Sequence, residues 1–468
     1  MSPALDDAMR EMRAGIAAYH RGDLDEAANH FERAALGAPR DAAIATNLGH
    51  VRRAAGQLEE AGAAYRRALD IAPTTGQAWL GLADVLRRTG AFADAARAYE
   101  AALAHGEATS ALYNGLGIAL KEDGELALAE QAYLRAIELA TREGASPREL
   151  AAIHVNLGNT VGDQGRWDDA VAAYKAALDA DGASADASFN LFSVVYDVAP
   201  LIGVDALRRA VARRPSFEAA RFQLGAILAL EGDDAAAAPL LENAAPHLLS
   251  SLVFVRDHGG ATGASMDRET AVPVFADGLR LLERALSQCS IDGLVLELGV
   301  RRGASARFIA ERIDGRVVHG FDSFEGLPTA WGGLPKGAYS TRGELPVVPD
   351  NVVLHCGWFD DTLPSFAREH PHPIRLLNVD CDLYSSAQVG FAALGHLIAV
   401  GTVIVFDEYL ANPGWEDEEH RALVEAAARL GFAYRYLAFS LFGRQAAIVV
   451  TEAKPSLGLR DNVGTPRS

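Results

Sequence analysis

Cysteine is nearly missing from this chain of 468 residues: Cys289, Cys356 and Cys381 are the whole complement. The number is odd and no pair stands at metal-ligand spacing, so neither a disulfide framework nor a cysteine metal site is expected, and the compartment is expected to be reducing. Positive charge is short as well. Forty-three Lys and Arg against 62 Asp and Glu leave a formal net charge of -19, which argues against nucleic acid as a bulk partner and against an anionic membrane surface. Long apolar runs are absent. None reaches the length that spans a bilayer, and the opening MSPALDDAMREMRAG carries no apolar signal core. The expected location is cytoplasmic, with no membrane insertion. Half of the residues are nonetheless apolar, a globular composition, and the length is too great for one ordinary core, so at least two domains are expected.

What is present first is an internal repeat. Gly15 and Gly49 lie 34 residues apart, as do Ala27 and Ala61, Phe31 and Tyr65, Ala34 and Ala68, and Pro39 and Pro73. Ala95, Tyr99 and Ala102 continue the register, with Trp79 and Leu82 ahead of them, and Gly117, Ala129, Tyr133 and Ala136 follow. After an insertion near Thr141–Pro147 the pattern resumes at Leu157, Gly158, Ala170, Tyr174 and Ala177, weakens around Ala210 and Pro215, and ends at Leu224, Gly225, Ala237, Leu241 and Ala244. Five positions recurring in phase resemble the tetratricopeptide repeat (TPR) family, with about seven repeats over residues 7–247. Small residues let paired helices approach, and the aromatic fills the gap to the next unit, so a solenoid with a concave face is implied. Such arrays usually bind a protein partner; a spacer or dimerisation arm is the alternative. In the weak sixth copy Phe192 stands where a small residue belongs, so an irregular unit is expected there.

The second half is organised around Leu294–Leu327, which reads strand, glycine turn, helix, strand. Glu297, Gly299, Gly303 and Asp322 would meet in the crevice beyond the carboxyl ends of the strands, where open α/β sheets bind ligands. A dinucleotide fold wants G-x-G-x-x-G so that a pyrophosphate can reach bare backbone. Here Glu297 takes the first glycine's place and puts a carboxylate there instead. That suits a ligand with a positive end and a ribose but no phosphate, such as S-adenosylmethionine (SAM), with Asp322 accepting from the ribose diol. The bland alternative is a βα turn whose glycines serve packing.

Further along, residues 352–356, 375–380 and 402–406 read as strands, and Phe432–Ser440 with Gln445–Thr451 as an antiparallel pair. Gly357 and Trp358 stand where a nucleobase can lie, although an aromatic there is more often core. Asp380 and Asp382 end one strand; Asp407 and Glu408 end the next. Paired carboxylates can bind a hard cation or act as general base, while Asp382 fits a helix N-cap. Residues 328–350 form a long loop, of the kind that is usually functional or mobile. Arg268–Gln288 reads as a helix whose apolar members are Val274, Leu279, Leu282 and Leu286.

The phrases GFDSFEGLP, DNVVLHCGWFDDTLP, VDCDLYSSA and VIVFDEYLANPGW, in this order across Leu294–Val450, resemble the macrocin-type sugar O-methyltransferases, within the class I SAM-dependent methyltransferases. The implied fold class is α + α/β: an N-terminal TPR α-solenoid, then a Rossmann-like class I methyltransferase domain with a mostly parallel sheet and an antiparallel C-terminal hairpin. The expected divisions are 7–247 for the repeats, 248–290 for a connecting loop and helix, 291–452 for the methyltransferase domain and 453–468 for a flexible tail. The resemblance implies SAM as methyl donor and a hydroxyl of a sugar, glycan or natural product as acceptor. It places Glu297, Gly299 and Gly303 at the methionine end, Asp322 and Ser323 at the ribose, and Gly357 and Trp358 beside the adenine. Asp380 becomes the catalytic base, and Asp380, Asp407 and Glu408 the ligands of a possible Mg2+. The family carries two adjacent aspartates after the fifth strand, where this chain has Phe406 and Asp407, so the metal set lacks one member. His420 is the reserve candidate for the base. Two other readings are a protein methyltransferase whose repeats present the substrate, and a scaffold that has lost catalysis.

Overall fold

A computed structural model describes residues 3–262, 266 and 271–454. The chain divides into two compact units, Met1–Val161 with Ala176–Gly182, and Gly162–Lys175 with Ala183–Ser468. The first is built of paired helices: α1 (Pro3–Arg21) with α2 (Leu24–Gly37), α3 (Ala42–Ala54) with α4 (Leu58–Ile71), α5 (Gly76–Arg88) with α6 (Phe92–His105), α7 (Ser110–Glu122) with α8 (Leu126–Glu143), then most of α9 (Pro147–Gly162). Starts are capped where the sequence supplies a short acceptor: the Asp23 carboxylate accepts from Glu26 N at 3.0 Å, and Asp41 from Ala43 N at 2.9 Å. The phased alanines Ala27, Ala61, Ala95 and Ala129 are all fully buried. Tyr65 shows why the small residues recur. A Cβ on Gly49 would stand 2.6 Å from its ring, and one on Gly81, in the next repeat, would overlap it. Two glycines therefore form the slot that one fully buried ring fills.

The second unit begins with the first turns of α10 (Trp167–Ala180). It continues through α11 (Ala185–Val195), α12 (Pro200–Arg213), α13 (Glu218–Glu231), α14 (Asp234–Leu241) and α15 (Pro246–Asp257). The irregular unit expected at Phe192 is a short first helix, closed at Tyr196 and followed by Pro200 at the start of α12. Two short parallel strands, β1 (Gly260–Ala261) and β2 (Val272–Pro273), lead to α16 (Gly278–Ser287). The helix expected over Arg268–Gln288 is thus confined to its second half; residues 268–270 lie outside the described residues. Pro273 has no N–H for a helix ladder, Val274 bridges to Phe439, and the Asp277 carboxylate starts the helix by accepting from Arg280 N at 3.0 Å.

The alternation then becomes regular: β3 (Leu294–Leu298), α17 (Ala304–Ala310), β4 (Val318–Asp322), β5 (Val352–Cys356), α18 (Phe359–Glu369), β6 (Ile374–Val379), α19 (Tyr384–Leu394), β7 (Val403–Phe406), α20 (Glu419–Leu430), β8 (Ala433–Ser440) and β9 (Gln445–Glu452). The sheet runs β5-β4-β3-β6-β7-β9-β8, parallel except where β9 joins β7 and β8 antiparallel. Side chains alternate between its faces. Val295 belongs to the cluster with Leu281, Leu282, Phe308 and Ile309 of α16 and α17. Leu298 meets α19, where a Cβ on Gly390 would come within 2.6 Å of it. Strand order reverses at β3, which pairs with both β4 and β6, so a crevice opens beyond its carboxyl end. Among the described residues no helix is long and apolar enough to cross a membrane.

The Tyr65 slot gives a prediction. Gly81→Ala gains about 1 kcal/mol of helix propensity, but overpacking a filled core site typically costs about 1–3 kcal/mol. The variant should unfold at lower urea than the parent when followed by far-UV circular dichroism. An unchanged or raised midpoint would show that the ring can yield.

Candidate functional site

Five strand ends meet around a cavity of about 560 Å³, lined among others by Gly299, Arg301, Asp322, Ser323, Tyr339, Gly357, Trp358, Asp380, Asp382, Asp407 and Glu408. Its floor is the turn after β3. Gly299 has φ +90, and a Cβ there would overlap the Asp380 carbonyl oxygen, so only glycine lets β3 and β6 end side by side. Asp322 holds the same turn from the other side. Its carboxylate accepts from Val300 N at 2.8 Å, Arg301 N at 2.7 Å and Phe324 N at 2.7 Å. Ser323 Oγ accepts from Glu325 N at 3.2 Å, and Gly357 N donates to the Asp322 carbonyl at 3.0 Å. The ends of β3, β4 and β5 are in this way bonded to one another before any ligand is considered.

Two of the expected residues stand off the cavity wall. Glu297 is fully buried inside β3 and paired in register with Gly320 and Asn378. One of its oxygens accepts from Asn378 Nδ2 at 2.9 Å. Burial pushes its carboxyl up to about 7, with Ser305 and Asn378 pulling the other way. Gly303 (φ +73) caps α17 beneath Val348 and Pro346. The 328–350 loop is bonded back to the strand end, through Thr341 N to the Phe324 carbonyl and Leu327 N to the Ala338 carbonyl. It brings Tyr339 to the wall, with the Arg301 guanidinium 4.9 Å over its ring.

The opposite wall is acidic. Burial raises Asp380 well above the usual carboxylate range, and repulsion from Asp407 and Asp382 adds to it. Asp407 is raised by burial too, although Gln445 Nε2 donates to it. Asp382 is not the cap expected of it: α19 has Leu383 at its N-cap, without a side-chain hydrogen bond. A left-handed backbone (φ +61) sends Asp382 to the cavity, where burial and then Glu408 push its pKa up to about 7. Sequence reading missed Glu419 altogether. It is fully buried with neither oxygen hydrogen-bonded, and burial, then Asp407 and Asp382, drive its pKa far up. Only its place in the acidic run WEDEEH hinted at it. His420 is away from the cavity, its Nδ1 2.9 Å from the Tyr409 hydroxyl in an aromatic cluster.

The donors expected for Mg2+ do not form a cage. Among the described residues no three His, Cys, Asp or Glu side chains are arranged to hold a metal ion. Asp407 is engaged by Gln445, and Glu408 accepts from Asn412 Nδ2 and pairs with Arg444 at 3.4 Å.

Comparison with known proteins finds relatives of both kinds of element. A methyltransferase domain model matches residues 296–409, a span that runs from within β3 to just past β7, and a tetratricopeptide repeat model matches 40–108 and 107–182. Demethyldecarbamoylnovobiocin O-methyltransferase of Streptomyces niveus is 27% identical over 186 residues, 33% of this chain and 70% of that enzyme. Among solved structures, YrrB, a TPR protein with an unusual peptide-binding site, aligns at 24% identity over 41% of this chain and 95% of its own, with a TM-score of 0.35. PilF of Pseudomonas aeruginosa aligns at 20% identity over 46% and 97%, with a TM-score of 0.39.

The acidic wall makes a pH prediction. Asp382 moves from an ordinary 3.8 to about 7 on folding. The folded chain therefore keeps a proton that the unfolded chain gives up, so the contribution to stability is full below about pH 3.8 and is lost as pH rises to about 7. Asp382→Asn removes this term, and Asn tolerates the left-handed backbone. The stability of the variant relative to the parent should rise between about pH 4 and about pH 7 and then level off. Urea midpoints of both proteins across that range check it; a difference independent of pH would contradict it.

Proposed function

Because this chain joins tetratricopeptide repeats to a methyltransferase domain, we propose that it transfers a methyl group from SAM to a hydroxyl of a sugar, glycan or natural product, while its repeats bind a protein partner. SAM use in general follows from the methyltransferase domain; the nature of the acceptor is the inference. The observation that supports it is one cavity with a hydrogen-bonded glycine turn on one side and Asp380, Asp382 and Asp407 on the other. The relative that acts as an O-methyltransferase points the same way.

In this reading the glycine-turn side holds the donor. A carboxylate offers roughly four acceptor positions; Asp322 uses three for backbone N–H groups and keeps one for a ribose hydroxyl, beside Ser323. Trp358, at the N-terminal end of α18 after Gly357, offers a face for the adenine. Gly299 leaves room for the methionine end. Glu297 and Gly303 support the turn from behind rather than touching the ligand.

SAM supplies a methyl group made electrophilic by its sulfonium. The chain has to align an acceptor hydroxyl with it and take the hydroxyl proton. Asp380 is placed for the proton: a carboxylate raised by burial is a stronger base near neutral pH than an exposed one. A cation beside it favours its ionised form, so the base is readied when the donor is in place. The remaining acids are acceptors for further hydroxyls of a polyhydroxylated ligand.

Asp380→Asn keeps the shape and removes the basicity. Turnover should fall by roughly 10²-fold or more, while SAM still binds. Methyl transfer to a panel of sugar hydroxyl acceptors at saturating SAM, with calorimetric titration of SAM alongside, measures both. Unchanged turnover would show that Asp380 is not the base.

A further inference from the structure

The loop between β7 and α20, residues 407–418, carries Asp407 and Glu408 into the cavity; its start is bonded to the sheet, through Asp407 N to the Val379 carbonyl and Leu410 N to the Arg444 carbonyl. Ala411 is held at φ +63, a conformation that a non-glycine residue keeps only where its surroundings impose it. A further constraint comes from α15. Ser251, fully buried, accepts from Ala411 N at 2.8 Å and donates to the His247 carbonyl at 2.8 Å. Its neighbour Ser250 accepts from Trp415 Nε1 at 3.0 Å and donates to Glu416 at 2.9 Å. One turn on, Phe254 lies among the rings of Tyr409, Trp415 and His420. The next residue after Ala411 completes the connection: Asn412, itself buried, donates to the Glu408 carboxylate. A continuous path thus runs from the Ser251 hydroxyl through Ala411 and Asn412 to an acid on the cavity wall.

We propose that α15 is a positioning element for the acid loop, with Ser251 the positioning residue that sets where Glu408 and Asp407 stand. The inference rests on the proposed methyl transfer in so far as those acids meet the acceptor. It assigns the helix that follows the last repeat pair a part in turnover, apart from any partner the repeats bind. Two donors of the loop, Ala411 N and Trp415 Nε1, find their acceptors on two adjacent serines of one helix. An alanine at either position would leave a donor buried and unpaired, and a loop with an unpaired donor moves to satisfy it. Among the described residues, the bonds of Asp322 and Gly299 run to the strand ends and not to α15.

The test uses the full chain with Ser251→Ala, and with Ser250→Ala as a second variant should the first fold poorly. Amide hydrogen exchange should speed up at least tenfold across residues 407–418 and stay unchanged at residues 299–303. The SAM dissociation constant should stay within about twofold. With any sugar acceptor that the parent methylates, kcat should fall at least tenfold while KM for SAM is unchanged, a split that general loss of structure would not give. Unaltered exchange in the loop in both variants would overturn the proposal. So would a loss of SAM binding in step with turnover, which would make α15 a packing element only. If the parent methylates no acceptor, the proposed function fails while the exchange measurement still decides the role of Ser251.

Discussion

Three backbone N–H groups converge on the Asp322 carboxylate, and the geometry of the cavity depends on them. Within the turn after β3, Val300 is buried in the core and the Arg301 guanidinium lies over Tyr339. Gly299 must lie flat against the Asp380 carbonyl, and Arg301 takes a left-handed conformation at φ +48. A carboxylate that accepts several N–H bonds offsets such strain and is itself stabilised in its ionised form. Fixing this one side chain fixes the turn after β3 against the end of β4, and with it one side of the space that faces the acidic wall.

Across that space the balance is reversed. Asp380, Asp382, Asp407 and Glu419 are gathered where burial opposes their charge, and little positive charge offsets it: Arg444 pairs with Glu408, and Arg301 lies over Tyr339. Such a wall is costly by itself and favourable beside a cation. In the proposed reading the same cluster would favour a positively charged donor, and the donor's charge would in turn favour the ionised form of the base. Local instability of this kind is typical of sites shaped by ligand rather than by fold.

How much of this was legible depended on whether a residue's environment repeats. Ala61, Tyr65 and Gly49 recur at one spacing, so the array could be read from the chain. The strands β5, β6 and β7 announced themselves as short apolar runs, and Asp380 and Asp407 as acids at adjacent strand ends. Glu297 stands one residue short of the end of β3, inside the sheet and off the cavity wall, a depth along the strand that the apolar run alone does not mark. Asp382 was hidden by a backbone angle that no side-chain pattern reports. Glu419 looks in sequence like its exposed neighbours Glu416 and Asp417, and only tertiary packing singles it out. Ser250 and Ser251 sit in an apolar stretch of helix, and nothing nearby in sequence names Ala411 or Trp415 as their partners. The extent of α16 was overestimated because Val274 and Leu279 fit a helical stripe that Pro273 and Asp277 interrupt.

The account stands on one claim, that the cavity between the glycine turn and the acidic wall takes a nucleoside bearing positive charge and no phosphate. Calorimetric titration of the full chain with SAM, and separately with NAD, addresses it most directly. Saturable binding of one SAM per chain with no detectable heat from NAD is the result this structure predicts. Binding of NAD without binding of SAM would contradict it.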